Sequence, residues 1–523
     1  MDTKALRQKV LDLAIRGKLV PQDPNDEPAS VLLERIRQQK QQMVKDGKLK
    51  AKDIKNDTII FVGEDNLHYE KFADGSVKCI EDEIPFELPV GWAWARLGTI
   101  SEAIGDGDHQ PPPQTFSGIP FLVISNVSGG KLSFENTRFV SAEYFNQLPE
   151  ARKPQKGDLL FTVTGSYGIP ILVDTDDNFC FQRHIAIVRP CITSNRYLHV
   201  ILGSSYVKSV CDDKATGTAQ KTVGLATLRE LLIPVAPYNE QVRIYTQVQA
   251  AMSIVNSISS EKEDLLIIIE NTKSKILNLA IRGQLVPQDP ADEPASVLLE
   301  RIRAEKEELI KQGKLKRDKK ESVIFRGEDN SYYLRTGDLV ESLEDWAFEE
   351  LPDSWGICCL GELCDYGNCL NVDTASISDS AWILDLEDIE KDSGVVLRKV
   401  RKSERNAAST KHFFHRGQVL YSKLRPYLNK VVLSDEDGYC TSEILPLEFE
   451  RNVLPQYARY YLMSPVFLEY ANKCSYGVKM PRLGTVDGKK SIISIPPIEE
   501  QKRIVLAIEQ AFTQLAAITQ NLL

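Results

Sequence analysis

LAIRGQLVPQDPADEPASVLLERIR, Leu279–Arg303, repeats LAIRGKLVPQDPNDEPASVLLERIR, Leu13–Arg37, at an offset of 266. Extended to Lys50 and Lys316, the copies are identical at 29 of 38 positions. Two copies of so long a repeat describe one unit used twice, not a solenoid. Upstream, Leu6, Val10 and Leu13 lie on one helical face over residues 1–16. Gly17 suits the position just past that helix, and Pro21 and Pro24 prevent its continuation. A second helix is expected from near Pro28 to near Gly47, with Val31, Leu32 and Ile36 inward. The lysines that follow, Lys45 to Lys55, read as a solvated helix end and loop.

Outward from the repeat the chain keeps pairing with itself. Ile59–Val62 and HYEKFADGS read as a hairpin turning at Asp74-Gly75, with a counterpart in IFRGEDNSYYLRTGD. FELPVGWAWARLG (86–98) faces FEELPDSWGICCLG (348–361), and each reads as the opening strand of a domain. Residues 99–235 hold short apolar, β-branched runs at Phe121–Ile124, Leu159–Thr164 and Ile185–Val188. Residues 362–495 hold matching runs at Val419–Tyr421, Val431–Leu433 and Ile444–Leu447. At an offset of 260, Lys156-Gly157 meets Arg416-Gly417, and Phe179-Cys180 meets Tyr439-Cys440. Most residues between these marks differ, so one fold carries two surfaces.

The blocks close on IPVAPYNEQVRI (233–244) and SIPPIEEQKRI (494–504), and each motif launches a helix. The first helix, about Asn239 to Arg282, places Ile244, Val248, Ala251, Val255, Ile258, Leu265, Ile269, Ile276 and Leu279 in 4,3 alternation. That is a coiled-coil seam, roughly 66 Å long at 1.5 Å per residue. Ile504, Ile508, Ala511, Leu515, Ile518 and Leu522 repeat it in phase. By the offsets, Leu523 corresponds to residue 263 and Met1 to residue 267. The second unit stops almost where the first began, as in a ring of two units cut once inside a long helix. The central helix is then expected to pair antiparallel with a composite of the C-terminal and N-terminal helices.

The fold class expected is mixed α/β (α+β): two α/β blocks separated by long antiparallel coiled-coil helices, pseudo-twofold, on a circularly permuted repeat. The divisions are 1–50, helical repeat; 51–98, basic linker, hairpin and opening strand; and 99–235, first block. Then follow 236–316, central helical region; 317–361, linker, hairpin and opening strand; 362–495, second block; and 496–523, C-terminal helix. The net charge of −10 argues against indiscriminate coating of nucleic acid but leaves room for local basic grooves. No apolar run approaches the roughly 18 residues of a membrane span, and no secretory pattern opens the chain. The expectation is a cytoplasmic protein with free thiols and no membrane partner.

Two similar heads held apart suit duplex DNA, whose half-sites recur about one turn, roughly 34–36 Å, apart. Heads with different surfaces would read different half-sites. The repeated LAIRGKLVPQDPNDEPASVLLERIR, the opening ELPxxWxWxxLG and the closing PPIEEQKRI resemble the specificity subunit of type I restriction–modification enzymes. The resemblance covers essentially the whole chain, with one departure: Ile357 stands where the second tryptophan of Trp92-Ala93-Trp94 would fall, a change expected to affect packing rather than role. It implies a non-catalytic subunit whose two blocks are target-recognition domains, each reading half of a bipartite sequence in double-stranded DNA. It also implies docking of two methyltransferase (M) subunits and two restriction/translocase (R) subunits on the helices. S-adenosylmethionine, ATP and Mg2+ would sit on those partners, and this chain would bind no cofactor. The alternatives are a coiled-coil scaffold whose heads bind protein and, further off, a self-contained methyltransferase.

Sequence is read by hydrogen bonds to base edges, while phosphate contacts set register. In the first block the candidates are Asp106 and His109 of GDGDHQPP, Gly165-Ser166-Tyr167, Gln182-Arg183, and Thr218 and Lys221 of TGTAQK. Glycine admits close backbone approach, Gln pairs with adenine and Arg with guanine. The GDGDHQPP and TGTAQK stretches resemble loops common in this family's recognition domains. In the second block, residues 398–425 carry nine Lys or Arg against Glu404 alone, net +8 in 28 residues. With His412, Phe413, Phe414 and Tyr421 interleaved, this stretch is expected to face DNA. The candidates here are Arg401, Lys402, Lys423, Arg425, Tyr427, Ser442, Lys479 and Arg482. SKLRPYLNK (422–430) shares its frame with TVTGSYGIP (162–170), and Lys479 to Arg482 share theirs with the TGTAQK region.

Cys358, Cys359, Cys364 and Cys369 lack any CxxC pair and read as buried free thiols rather than metal ligands. No methyltransferase Asp/Asn-Pro-Pro-Tyr/Phe motif and no Walker A spacing occur.

Overall fold

The structure, a computed structural model, describes residues 2–107, 112–218, 220–313, 322–327, 329, 331–343, 351–405, 409–449 and 452–522. The chain mixes helices with strands and divides into two compact units, Met1–Glu261 and Lys262–Leu523. The division falls inside the helix Tyr238–Ile281, 44 residues long. Along that helix every seam position named above is buried or half-buried, and so are Lys262 and Thr272, the two polar residues that complete the 4,3 alternation. Ile254, Ile267 and Ile268, which lie off the seam, are exposed. Among the described residues, no helix is long and apolar enough to cross a membrane.

In the first unit, Asp2 caps the helix Thr3–Ile15 by accepting from the Lys4 and Ala5 N–H groups, each at 2.9 Å. That helix lies against the long one: Thr3 Oγ1 and Ser259 Oγ are 3.3 Å apart, and Arg7 bonds Asn256. Contacts rising on one helix while falling on the other mean that the two run in opposite directions. The second helix, Ala29–Lys45, buries Ala29, Leu32 and Ile36. Val31, expected inward, is 40% exposed, and Ala29 takes its place because the face that docks begins at the first residue of the helix. The hairpin gains a strand, giving a meander of Ile59–Val62, His68–Lys71 and Val77–Cys79.

The block behind it is built on a four-stranded sheet, ordered Ser101–Asp106, Ile185–Pro190, Leu159–Thr162, Pro170–Leu172. A smaller sheet pairs Cys180–Phe181 in parallel with Ile119–Leu122. In the second unit Val419–Ser422 lies between Val431–Leu433 and Ile444–Leu447. A five-stranded sheet there pairs Gly438–Thr441 in parallel with Trp382–Leu384. The helical pairs Asn195–Leu202 with Ser205–Lys214, and Pro455–Met463 with Pro465–Lys473, were not resolved as helices from the sequence. They are too short to display a helical period against the strands around them.

The repeat, the opening strand and the closing motif form one polar lock in each unit. Trp92 Nε1 donates to Glu240 at 3.0 Å, and Trp355 Nε1 donates to Glu500 at 3.0 Å. Gln288 Nε2 adds a bond to Glu500 at 2.6 Å. Asp26 accepts from Arg243 at 2.5 Å and Asp292 from Arg503 at 2.7 Å. Gln241 bridges the Ser194 N–H to the Ala236 carbonyl; Gln501 bridges the Leu454 N–H to the Pro496 carbonyl. Gly17 and Gly283 have φ of +63° and +69°, and a Cβ on either would come 2.5 Å from Pro89 or Pro352. Position and backbone therefore both demand glycine. Burial raises both glutamates above the usual carboxylate range, against the indole hydrogen bonds. Trp92→Phe and Trp355→Phe are each expected to cost roughly 1–2 kcal/mol by chemical denaturation, because a buried carboxylate loses its donor.

Trp355 keeps the bonding role of Trp92. Ile357, in the frame of Trp94, is 7% exposed in a small apolar cluster, so the departure is one of packing. All ten cysteines are free thiols; Cys358, Cys359 and Cys364 are buried, and Cys369 is half-buried. Burial raises the Cys358 thiol well above its usual value.

Candidate nucleic-acid interface

In the first unit the strands Leu159–Thr162 and Pro170–Leu172 project the loop 163–169. This loop is zipped to a second one: the Val223 N–H donates to the Val163 carbonyl at 2.8 Å, and the Gly165 N–H to the Lys221 carbonyl at 3.2 Å. Thr222 bridges both Thr164 and Thr216. Gly165, Ser166, Tyr167, Thr218 and Lys221 are thus drawn to one pair of loops. The turn at Gln182-Arg183 adjoins them, because the Val163 N–H donates to the His184 carbonyl at 2.9 Å. Asp106 adjoins that turn through Gly107, where a Cβ would sit 2.0 Å from the Phe181 carbonyl. His109 lies outside the described residues.

The side chains in this cluster differ in their freedom. Ser166, Arg183, Thr218 and Lys221 are exposed. Tyr167 donates its hydroxyl to Asp212 at 2.7 Å, which raises its phenol, and Lys208 Nζ stands 3.9 Å over its ring. Tyr167 is therefore held in place and half-buried. Asp106 faces Arg152 at 3.7 Å. Burial, then the Arg183 charge, lowers His184 below its usual value, which favours the neutral imidazole.

The second unit repeats the same backbone. The Lys423 N–H donates to the Glu443 carbonyl at 3.0 Å, the Leu483 N–H to the Lys423 carbonyl at 3.0 Å, and the Arg425 N–H to the Pro481 carbonyl at 2.7 Å. Arg482 bridges both Leu424 and Tyr476. Each of these bonds has its counterpart in the first unit, at an offset of 260 for all but the Glu443 carbonyl, which takes the place of that of His184. Lys423, Arg425, Tyr427, Lys479 and Arg482 are drawn together in this way, with Ser442 exposed beside Glu443. The two apices differ in one respect: Gly165 has φ +73°, and Arg425 holds the same left-handed region at φ +51°. For a residue with a side chain this conformation costs roughly 1–2 kcal/mol. Arg425 Nε is also buried and finds no hydrogen-bond partner among the described residues.

Arg482 is turned to Glu443, which accepts from Nε at 3.0 Å and Nη2 at 2.8 Å. Arg401 and Lys402 lie elsewhere, on and beside the edge strand Val400–Arg401 of the five-stranded sheet. The premise that the +8 run lacks compensating acids fails. Arg398 and Arg405 pair with Asp388, Lys399 with Asp435, Arg401 with Glu436, and Lys402 with Asp379. Lys411 is 5% exposed and faces Asp385 at 3.4 Å. These acids lie before and after the run, and strand pairing brings them to it. A wider count over 379–437 was the signal available in the sequence. Among the described residues, Lys423 and Lys479 form no ion pair and keep their charge free.

Residues 352–523 match the family model described as the Type I restriction modification DNA specificity domain. The chain is 30% identical over 418 residues to the Type I restriction enzyme EcoAI specificity subunit of Escherichia coli, across 70% of this chain and 63% of that protein. It is 28% identical over 415 residues to the EcoEI specificity subunit of Escherichia coli, across 69% and 61%. The matches thus span less than two thirds of these relatives' own length. A chain solved in work on complex assembly and conformational transition of the type I R-M system superposes with a TM-score of 0.54 at 17% identity. That likeness covers 84% of this chain and 94% of the other, and it is a likeness of fold. Residues 352–523 are thus similar to the type I restriction modification DNA specificity domain, and most of the chain is similar to specificity subunits of type I restriction enzymes.

Proposed function

We propose that the chain is the sequence-recognition subunit of a type I restriction–modification enzyme and binds an asymmetric, bipartite site in double-stranded DNA. One observation carries this reading: two loop pairs share one hydrogen-bonded frame and present different side chains. Each pair reads one half-site. The duplicated helices hold the half-sites apart and dock two methyltransferase and two restriction subunits, and the chain itself performs no catalysis. The central helix serves as the spacer, partnered antiparallel by the N-terminal and C-terminal helices in pseudo-twofold fashion. S-adenosylmethionine, ATP and Mg2+ belong to the partner subunits, and the complex works in the cytoplasm. The contacts to DNA come from the loop residues around Gly165, Gln182 and Lys221, and from those around Lys423, Arg425 and Lys479.

Methylome sequencing of cells with and without the gene tests the proposal. A split adenine-methylation motif is expected to vanish on deletion, and exchange of residues 99–235 is expected to change one half of it only. A motif unaltered by both manipulations overturns the reading.

The neutralised basic run favours one other reading, a scaffold whose heads bind protein. A gel shift on random duplex at low and then rising salt, with and without the modification subunit, separates the two. No shift under any condition supports the scaffold.

A further inference from the structure

The loop Tyr476–Pro481 of the second unit exposes apolar side chains, two of which, Val478 and Met480, its first-unit counterpart replaces with polar ones of nearly the same shape. Val478 is 101% exposed, Tyr476 62% and Met480 45%. In the shared frame Val478 stands where the first unit has Thr218, and Met480 where it has Gln220. Val against Thr, and Met against Gln, each preserve size and remove hydrogen-bonding capacity. The backbones correspond as well: Gly217 and Gly477 have φ of +112° and +99°, and each loop closes on a bridge, Thr216 with Thr222 and Tyr476 with Arg482.

We propose that Val478 and Met480 read thymine through its C5-methyl group. The inference rests on the DNA-recognition reading above. In the major groove the thymine methyl is the apolar feature that a base pair presents, whereas adenine, guanine and cytosine present hydrogen-bonding atoms there. A loop that keeps its backbone and exchanges Thr and Gln for Val and Met keeps its approach to the groove and changes what it can recognise. Lys479 lies between the two apolar residues, forms no ion pair among the described residues and supplies charge to a neighbouring phosphate. Exposed apolar residues this close together, beside Lys423 and Lys479, suit a ligand that is anionic outside and carries methyl groups within. The first unit, with Thr218 and Gln220, offers hydrogen-bonding groups there and less apolar surface, and so depends less on the methyl.

The test uses the full chain with its modification subunit and duplexes carrying the motif found by methylome sequencing. Thymines are replaced one at a time by deoxyuridine, which removes the methyl and nothing else. The expected result is about a fourfold loss of affinity at one or two thymines of the second half-site, the worth of one buried methyl group, and no loss in the first. Val478→Thr combined with Met480→Gln, which keeps the loop's shape, is expected to lose most of the difference between thymine and deoxyuridine duplexes. A second half-site without a T·A pair, or one insensitive to deoxyuridine, overturns the proposal. So does a double variant as sensitive as the original, because the contact then lies elsewhere. A double variant that fails to assemble with the modification subunit, while the original ignores deoxyuridine, shows that the loop docks protein and also overturns it. An original chain that binds no duplex at all sinks the recognition reading itself, an outcome distinct from the others.

Discussion

Asp388→Ala is expected to destabilise the second unit by about 3–5 kcal/mol, the cost of leaving a buried ion-pair network without its anion. The Asp388 carboxylate is fully buried. It accepts from Arg405 at 2.6 and 2.8 Å, from Arg398 at 2.8 Å and from the Asp385 N–H at 2.9 Å. Removing it strands Arg405, whose side chain is only 11% exposed, with Asp385 at 3.0 Å as its nearest remaining carboxylate. Calorimetry on the full chain measures the effect, with the loss expected in the transition of residues 262–523 and not in that of 1–261. The pH dependence provides a second readout. Burial alone would raise the Asp388 carboxyl, but the hydrogen bonds from Arg405, the Asp385 N–H and Arg398 outweigh it and hold the group below its usual range. A carboxyl lowered in the folded state adds stability above its unfolded value, about 3.9, and loses it as pH falls toward the folded value. The original chain should therefore lose this contribution below about pH 4, and the alanine variant should lack that part of the profile. Equal stability of the two chains at pH 7 would show that the network is dispensable.

Arg425→Gly should separate stability from recognition. Arginine occupies a left-handed backbone position that glycine fills in the first unit, and its Nε is buried without a partner among the described residues. Neither feature helps the isolated chain fold. The variant is expected to remain within about 1 kcal/mol of the original, because relief of backbone strain offsets the extra freedom of a glycine in the unfolded chain. Affinity for the target duplex is expected to fall about tenfold or more, within the roughly 1–3 kcal/mol that a bidentate arginine–guanine contact contributes, with discrimination relaxed at one guanine of the second half-site. Titration of the target and of single-base variants measures this. A variant that loses stability and keeps its affinity would assign Arg425 to the architecture instead.

Much of the frame was legible in the residues because it rests on short-range regularities. The 4,3 alternation of apolar residues placed the long helix within one residue at each end, Tyr238–Ile281 against 239–282. Val431–Leu433 and Ile444–Leu447 form strands with the bounds that their β-branched runs suggested. The alignment of SKLRPYLNK with TVTGSYGIP corresponds to loops with matching hydrogen bonds. The surface chemistry was less legible. Arg401 and Lys402 stood out as free charge in a window ending at residue 425, yet their partners are Glu436 and Asp379. Arg482 gave no sign of its clamp on Glu443, 39 residues away. Val478 and Met480 drew no notice at all, since an apolar residue in a loop is informative only once its exposure is known.

The repeat that decides the architecture is therefore the clearest division between the two sources. By itself the sequence determined that one unit occurs twice, with Leu13–Lys50 and Leu279–Lys316 in equivalent places. A pattern of this kind survives in one dimension because identical residues at a constant offset need no contact to be recognised. Only the tertiary structure decided what the repeat is for: its glycines and acids close on Trp92 with Arg243, and on Trp355 with Arg503, and so seat each block against its helix. It also decided which charges remain free, because neutralisation depends on distances between side chains that the chain brings together only by folding.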